Sequence, residues 1–126
     1  MSADPTRVVV ADDDPDIREL VTFKLEQAGY VIDAVEDGAA AWETIAAAPP
    51  RLAVLDVMMP GLSGLDVLRK LREEPATRDV PVILLTARSR DSDVDGGFAA
   101  GATDYVIKPF SPRELVHRVS SVLRRP

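Results

Sequence analysis

Leu52-Ala53-Val54-Leu55-Asp56-Val57-Met58-Met59-Pro60-Gly61-Leu62-Ser63-Gly64 decides how the rest of the chain is read. An apolar run of this length, bounded by turn residues, predicts a buried strand. The strand ends in a single carboxylate, Asp56. A Pro60-Gly61 turn follows, and Ser63 is placed to cap a helix. Asp56 then stands where the strand leaves the core, aimed at the loops. Asp is also common at the start of a turn, so this stretch alone leaves both a plain turn residue and a site residue open.

The flanking sequence repeats the pattern. Arg7 to Ala11 predicts a first strand, ending at Asp12-Asp13. Asp14-Pro15 reads as an N-cap followed by proline at the first helical position. Ile17, Leu20, Val21, Leu25 and Ala28 recur at helical spacing, and Gly29 stops that helix. Tyr30 to Val35 is the second strand. Asp37 caps an alanine-rich helix over Gly38 to Ala48, ended by Pro49-Pro50. Leu65, Leu68 and Leu71 mark the apolar face of the third helix, and Glu73 to Asp79 is a polar loop. Pro81 to Leu85 is the fourth strand, ending at Thr86-Ala87. A fourth helix is expected over Asp91 to Ala100, weakened by Gly96-Gly97 at about 1 kcal/mol per glycine. Tyr105 to Ile107 is the fifth strand, ending at Lys108-Pro109, a bond that can be cis or trans. Ser111 and Glu114 have capping-box spacing at the start of the last helix, where Leu115, Val119 and Val122 face inward.

Five strands alternating with five helices predict an α/β domain, a doubly wound parallel sheet covered on both faces. The chain of 126 residues is read as one domain with its core over about 6–123. A net charge of −6 argues against direct nucleic-acid binding. The absence of cysteine excludes disulfides, thiolate metal sites and Cys nucleophiles. No apolar stretch has the length of a signal segment or membrane span, so the expected location is cytoplasmic.

In open sheets of this kind ligands bind beyond the carboxyl ends of the strands. There the sequence places Asp12, Asp13, Asp56, Thr86 and Lys108. Clustered carboxylates repel one another unless a cation neutralises them. Oxygen ligands without His or Cys suit Mg²⁺ (or Mn²⁺). A carboxylate can become an aspartyl-phosphate, whose oxygens Lys108 and the Thr86 hydroxyl are equipped to meet. Taken singly, each residue has a plainer reading: Asp12 to Asp16 as a helix-start cluster, Thr86 as a strand-end hydroxyl, Tyr105 and Trp42 as packing residues, His117 as a surface residue.

Asp12-Asp13-Asp14-Pro15, Leu55-Asp56-Val57-Met58-Met59-Pro60-Gly61, Leu85-Thr86-Ala87 and Lys108-Pro109-Phe110, in this order and spacing, resemble the receiver domain of bacterial two-component response regulators. The resemblance implies a flavodoxin-like sheet of order 2-1-3-4-5. It implies Asp56 as phosphoacceptor, with Mg²⁺ held by Asp13, Asp56 and the Met58 backbone carbonyl and by Asp12 through water. Thr86 and Lys108 would contact the phosphoryl group, and Tyr105 would turn inward with Thr86 as a switch. The implied donor is a sensor histidine kinase or a phosphotransfer protein. The implied output is a switched face of the fourth helix, fifth strand and last helix, acting on a partner or on an output domain beyond Pro126. The module would be a signalling domain rather than a turnover enzyme.

The segment Phe110 to Val119 resembles the winged-helix transcription-regulator branch, which dimerises on phosphorylation through charged pairs on that face. Glu114, Arg118 and Asp104 match its pattern; Val94 and Thr103 depart from it. The Glu73 to Asp79 loop looks more like stand-alone receivers or those attached to cyclic-di-nucleotide synthases. A stand-alone receiver or phosphorelay intermediate is therefore the alternative, ahead of an unphosphorylated scaffold. Met58 and Arg88, two residues past Asp56 and Thr86, flank the expected phosphoryl position. An apolar Met58 cannot orient an attacking water, so slow self-dephosphorylation is expected.

Overall fold

A computed structural model describes residues 6–87 and 99–125. The elements run β1 (Arg7–Ala11), α1 (Pro15–Gln27), β2 (Val31–Val35), α2 (Gly38–Ala47), β3 (Leu52–Asp56), α3 (Gly64–Glu73), β4 (Val82–Ala87), β5 (Asp104–Lys108) and α4 (Pro112–Leu123). All strand pairings are parallel and the sheet order is β2-β1-β3-β4-β5, as the sequence pattern and the resemblance imply. The described residues contain four helices, not five. The helix expected over 91–100, with Gly96-Gly97, falls on positions of which only Ala99 and Ala100 are described. Val94 and Arg88 also lie outside the described residues. No helix among the described residues is long and apolar enough to cross a membrane.

The four helix starts follow from their caps. Asp14 accepts from the N–H groups of Asp16 and Ile17, Asp37 from Ala40, and Ser111 from Glu114. Each such cap stabilises by about 1 kcal/mol. The expected box at Ser111 shows only that one bond, because the Glu114 carboxylate turns to Arg118 at 3.6 Å. The reciprocal capping box forms instead at Ser63 and Asp66. The third helix buries Val67 with Leu68 and Leu71, while Leu65 is only partly covered.

Strand alternation builds two cores. Val9, Ala11, Ala53, Leu55, Val82 and Leu84 face α2 and α3, where Ile45, Val67, Leu68 and Leu71 meet them. Val8, Val10, Leu52, Val54, Ile83, Leu85 and Val106 face α1 and α4, against Val21, Leu25, Leu115 and Val119. The same parity continues past the last apolar layer. Asp12, Asp56 and Lys108 share the face of Val10, Val54 and Val106, which brings residues far apart in sequence to one spot.

Candidate phosphoryl-transfer site

Lys108 is the centre of the cluster at the carboxyl ends of the strands. Its Nζ lies 3.2 Å from Asp12 Oδ2 and 3.3 Å from Asp56 Oδ2. Asp12 is fully buried and committed within the chain. Its Oδ1 accepts from the Asp14 N–H at 2.9 Å, and its carbonyl accepts from Arg18 at 2.9 Å. Asp13, one residue on, has the opposite parity and is exposed. One carboxylate oxygen each from Asp12, Asp13 and Asp56 lie within 4.8 Å of one another. Hard oxygen donors in this arrangement fit Mg²⁺ or Mn²⁺, which bind through one or two carboxylates and keep waters.

Electrostatics favour a further cation here. Burial, reinforced by the neighbouring Asp12 charge, pushes the Asp56 carboxyl up from 3.8 to about 6, although Lys108 and the Met58 N–H pull it down. Burial pulls the Lys108 ammonium down. The charges of Asp56 and Asp12 and their hydrogen bonds outweigh this, so its pKa is raised. One ammonium thus compensates two buried carboxylates incompletely.

Asp56 is held by its own loop. The Met58 N–H donates to Asp56 Oδ1 at 3.2 Å, and the Gly64 N–H closes onto the Val57 carbonyl at 3.1 Å. Gly64 is a site residue that motif reading missed. A Cβ there would stand 2.4 Å from the Asp56 carbonyl oxygen and 2.9 Å from its carbon, so only glycine lets α3 start this close to the acceptor strand. No local signal marks it, since the contact exists only once the loop has folded back.

Thr86 is buried in β4 and its Oγ1 has no hydrogen-bond partner among the described residues. An unsatisfied buried hydroxyl costs about 1–3 kcal/mol, and the Thr22 hydroxyl on α1 is likewise without a partner among the described residues. By alternation Thr86 belongs to the α2–α3 face, and Tyr105, half-buried in β5, packs against that core. The structure therefore gathers Asp12, Asp13, Asp56 and Lys108 at one cluster and sets Thr86 and Tyr105 on the neighbouring face. The Lys108-Pro109 bond is cis, which resolves the open alternative. Trp42 packs against the α2–α3 core beneath the Lys70 ammonium, and His117 is exposed. Arg118 pairs with Asp104 at 3.2 Å and with Glu114 within the same chain.

Comparison with known proteins accords with this geometry. The Klebsiella pneumoniae phosphate regulon transcriptional regulatory protein PhoB is 45% identical over 119 residues, 94% of this chain and 52% of that protein. The Bacillus subtilis transcriptional regulatory protein ResD is 45% identical over 120 residues, 95% of this chain and 49% of that protein. The chain thus spans about half the length of the curated relatives it matches. A crystal structure of a putative response regulator from Chloroflexus aurantiacus superposes with a TM-score of 0.91 at 36% identity, covering 97% of this chain and 100% of that one. The family model for the response regulator receiver domain matches residues 8–120, which contain every strand end described above except the first residue of β1. A parallel 2-1-3-4-5 sheet that delivers carboxylates and one lysine to a single edge is thus accounted for by descent: the chain belongs to the response regulator receiver domain family.

Proposed function

We propose that Asp56 accepts a phosphoryl group from a phosphohistidine on a sensor histidine kinase or phosphotransfer protein, and that the resulting charge switches the domain. The observation that supports this most is the shared Lys108 between Asp12 and Asp56 beside the exposed Asp13. An Asp56 carboxylate oxygen attacks phosphorus in line. The new P–O bond forms as the P–N bond breaks, and the imidazole nitrogen keeps the electron pair. Mg²⁺ or Mn²⁺, when bound by Asp13, Asp56 and the Met58 carbonyl with Asp12 acting through water, supplies neutralisation of the carboxylates and phosphoryl oxygens.

The new dianion changes what Lys108 and Thr86 meet. Lys108 shifts from bridging two carboxylates to holding a phosphoryl oxygen, and the Thr86 hydroxyl gains a phosphoryl oxygen as acceptor. Tyr105 packs on the same face as Thr86 and follows it inward. The change biases the surface around β5 and α4 between two arrangements. The domain works in this reading as a cytoplasmic signalling module rather than a turnover enzyme. The lengths and names of the relatives support a longer transcription regulator, in which this domain controls an output segment beyond residue 126. Arg118 uses its charge inside the chain on Asp104 and Glu114, so a phosphorylation-dependent homodimer of the usual charged-pair kind would first have to open those pairs.

Acetyl phosphate with Mg²⁺, followed by intact mass, tests the site. The wild-type chain gains one phosphoryl group and Asp56→Asn gains none. An equal rate of gain in Asp56→Asn would falsify the assignment.

A further inference from the structure

We propose that Met58 is an oxidation site at the phosphoacceptor, where conversion of its thioether to a sulfoxide by a hydroperoxide shortens the life of the phosphoryl group on Asp56. The inference rests on the reading of Asp56 as acceptor. Met58 and Met59 are chain neighbours with opposite environments. The Met59 residue is 7% exposed and packs into the α2–α3 core, whereas Met58 is 52% exposed. Among the described residues the other exposed large apolar side chains are Leu20 and Phe23 on α1 and Val31 at the start of β2. Met58 alone of these lies in the loop by which the chain leaves β3 after Asp56.

Its position is fixed there. The Met58 N–H is bonded to Asp56 Oδ1 at 3.2 Å, and the loop behind it is tied by the bond from Gly64 N–H to the Val57 carbonyl. The backbone that carries this side chain is therefore tied directly to the acceptor carboxylate. The chain contains no cysteine, so no thiol of its own competes for the oxidant. Of Met58 and Met59, accessibility directs a peroxide to Met58.

The step balances simply. The thioether sulfur is oxidised by two electrons, the peroxide O–O bond breaks and an S–O bond forms. Hydrogen peroxide leaves as water, or an organic hydroperoxide as its alcohol. The product is a polar side chain in place of an apolar one. A thioether is a weak hydrogen-bond acceptor, while the sulfoxide oxygen is a strong one. It can hold a water against the acyl phosphate, the task an apolar residue cannot perform. Because sulfoxides are reduced enzymatically, the modification is reversible and couples the lifetime of the signal to peroxide.

The test exposes the whole chain to hydrogen peroxide, locates the oxygen by peptide mass mapping, then loads the protein with acetyl phosphate and Mg²⁺ and follows phosphate loss. The expected result is a gain of about 16 Da at Met58 before Met59, with phosphate loss faster by about threefold or more. Met58→Leu, compared with its own untreated rate, should not respond to peroxide. Met58→Gln, a polar side chain of similar length, should lose phosphate faster than Met58→Leu without peroxide, and methionine sulfoxide reductase should restore the slow rate of treated wild type. Oxidation of Met59 ahead of Met58, or a sulfoxide at Met58 with an unchanged rate, overturns the inference and leaves the Asp56 assignment standing. Failure of untreated wild type to take up any phosphoryl group overturns both.

Discussion

The two ends of the sheet handle polar groups in opposite ways. At the amino end of β4 and β5, Arg72 from α3 donates to the Gly101 carbonyl from Nε and Nη2 at 3.1 and 2.8 Å, and to the Arg78 and Val80 carbonyls from Nη1 at 3.1 and 2.8 Å. The buried Thr77 hydroxyl donates to the Leu71 carbonyl at 2.8 Å. The Thr103 hydroxyl accepts from the Val82 N–H, while the Thr103 N–H donates to the Val82 carbonyl. At the carboxyl end two buried carboxylates share one lysine and the Thr86 hydroxyl has no partner among the described residues. A satisfied polar network contributes stability and fixes geometry; an unsatisfied one withholds stability and keeps groups ready for a ligand. The same residue types are thus paired into the fold at one end and left incompletely paired at the other.

The largest expected effect breaks the satisfied end. Arg72→Met removes four hydrogen bonds to three carbonyls and should cost about 2–4 kcal/mol, read as a lower urea midpoint with an unchanged slope. Gly101→Ala should cost less, about 1–2 kcal/mol, because a φ of +101° strains any side chain. The added Cβ would also stand 3.0 Å from Arg72 Nε. A loss under 1 kcal/mol in Arg72→Met would mean that the clasp is surface decoration and would dissolve the contrast.

At the other end the sign reverses. Asp56 ionises near 3.8 when unfolded and near 6 when folded. A raised carboxyl pKa means the folded state holds the proton more tightly. Its favourable contribution is complete below pH 3.8 and is lost as pH rises through 6. Above that, the ionised carboxylate burdens the metal-free fold by about 2–3 kcal/mol. Asp56→Asn should therefore be more stable than wild type by about that amount at pH 8 in chelator, and by little near pH 4. Added Mg²⁺ should narrow the gap at pH 8, since only the wild type gains a neutralised carboxylate. Chemical denaturation at the two pH values, with and without metal, checks each part. An Asn variant less stable than wild type at pH 8 would show Asp56 to be a net stabilising partner of Lys108.

This contrast was only half visible in the sequence. Strand ends and helix caps were legible because hydrophobic runs and cap residues are local signals, and the cluster of Asp12, Asp13, Asp56 and Lys108 followed from placing the strands in parallel. The split between buried Asp12 and exposed Asp13 was not legible, since both faces of β1 are buried and parity alone gives neither residue the surface. The Lys108 bridge to Asp12 spans 96 residues and depends on strand order, which composition does not reveal. Gly64, Arg72 and Thr77 were illegible for another reason. Their roles are long-range approaches of backbone or side chain to carbonyls, and in sequence they read as an ordinary helix start, a surface cation and a polar loop residue.

The finest test uses one substitution at both ends. Thr→Val keeps the shape and exchanges a hydroxyl for a methyl. Leu71 lies in the last turn of α3, where carbonyls lack helical partners, and Thr77 supplies one of them. Thr77→Val should cost about 1 kcal/mol. Thr86→Val removes a hydroxyl that is buried and has no partner among the described residues, and should be neutral or stabilising by up to about 1 kcal/mol. Both are read from urea midpoints. Thr86→Val should still take a phosphoryl group from acetyl phosphate, because Asp56 and the acidic cluster are untouched. It should fail to transmit it, seen as a missing shift of β5 and Tyr105 resonances on beryllofluoride addition. A destabilised Thr86→Val would mean that its hydroxyl already has a structural partner, and the carboxyl end would no longer differ from the amino end in kind.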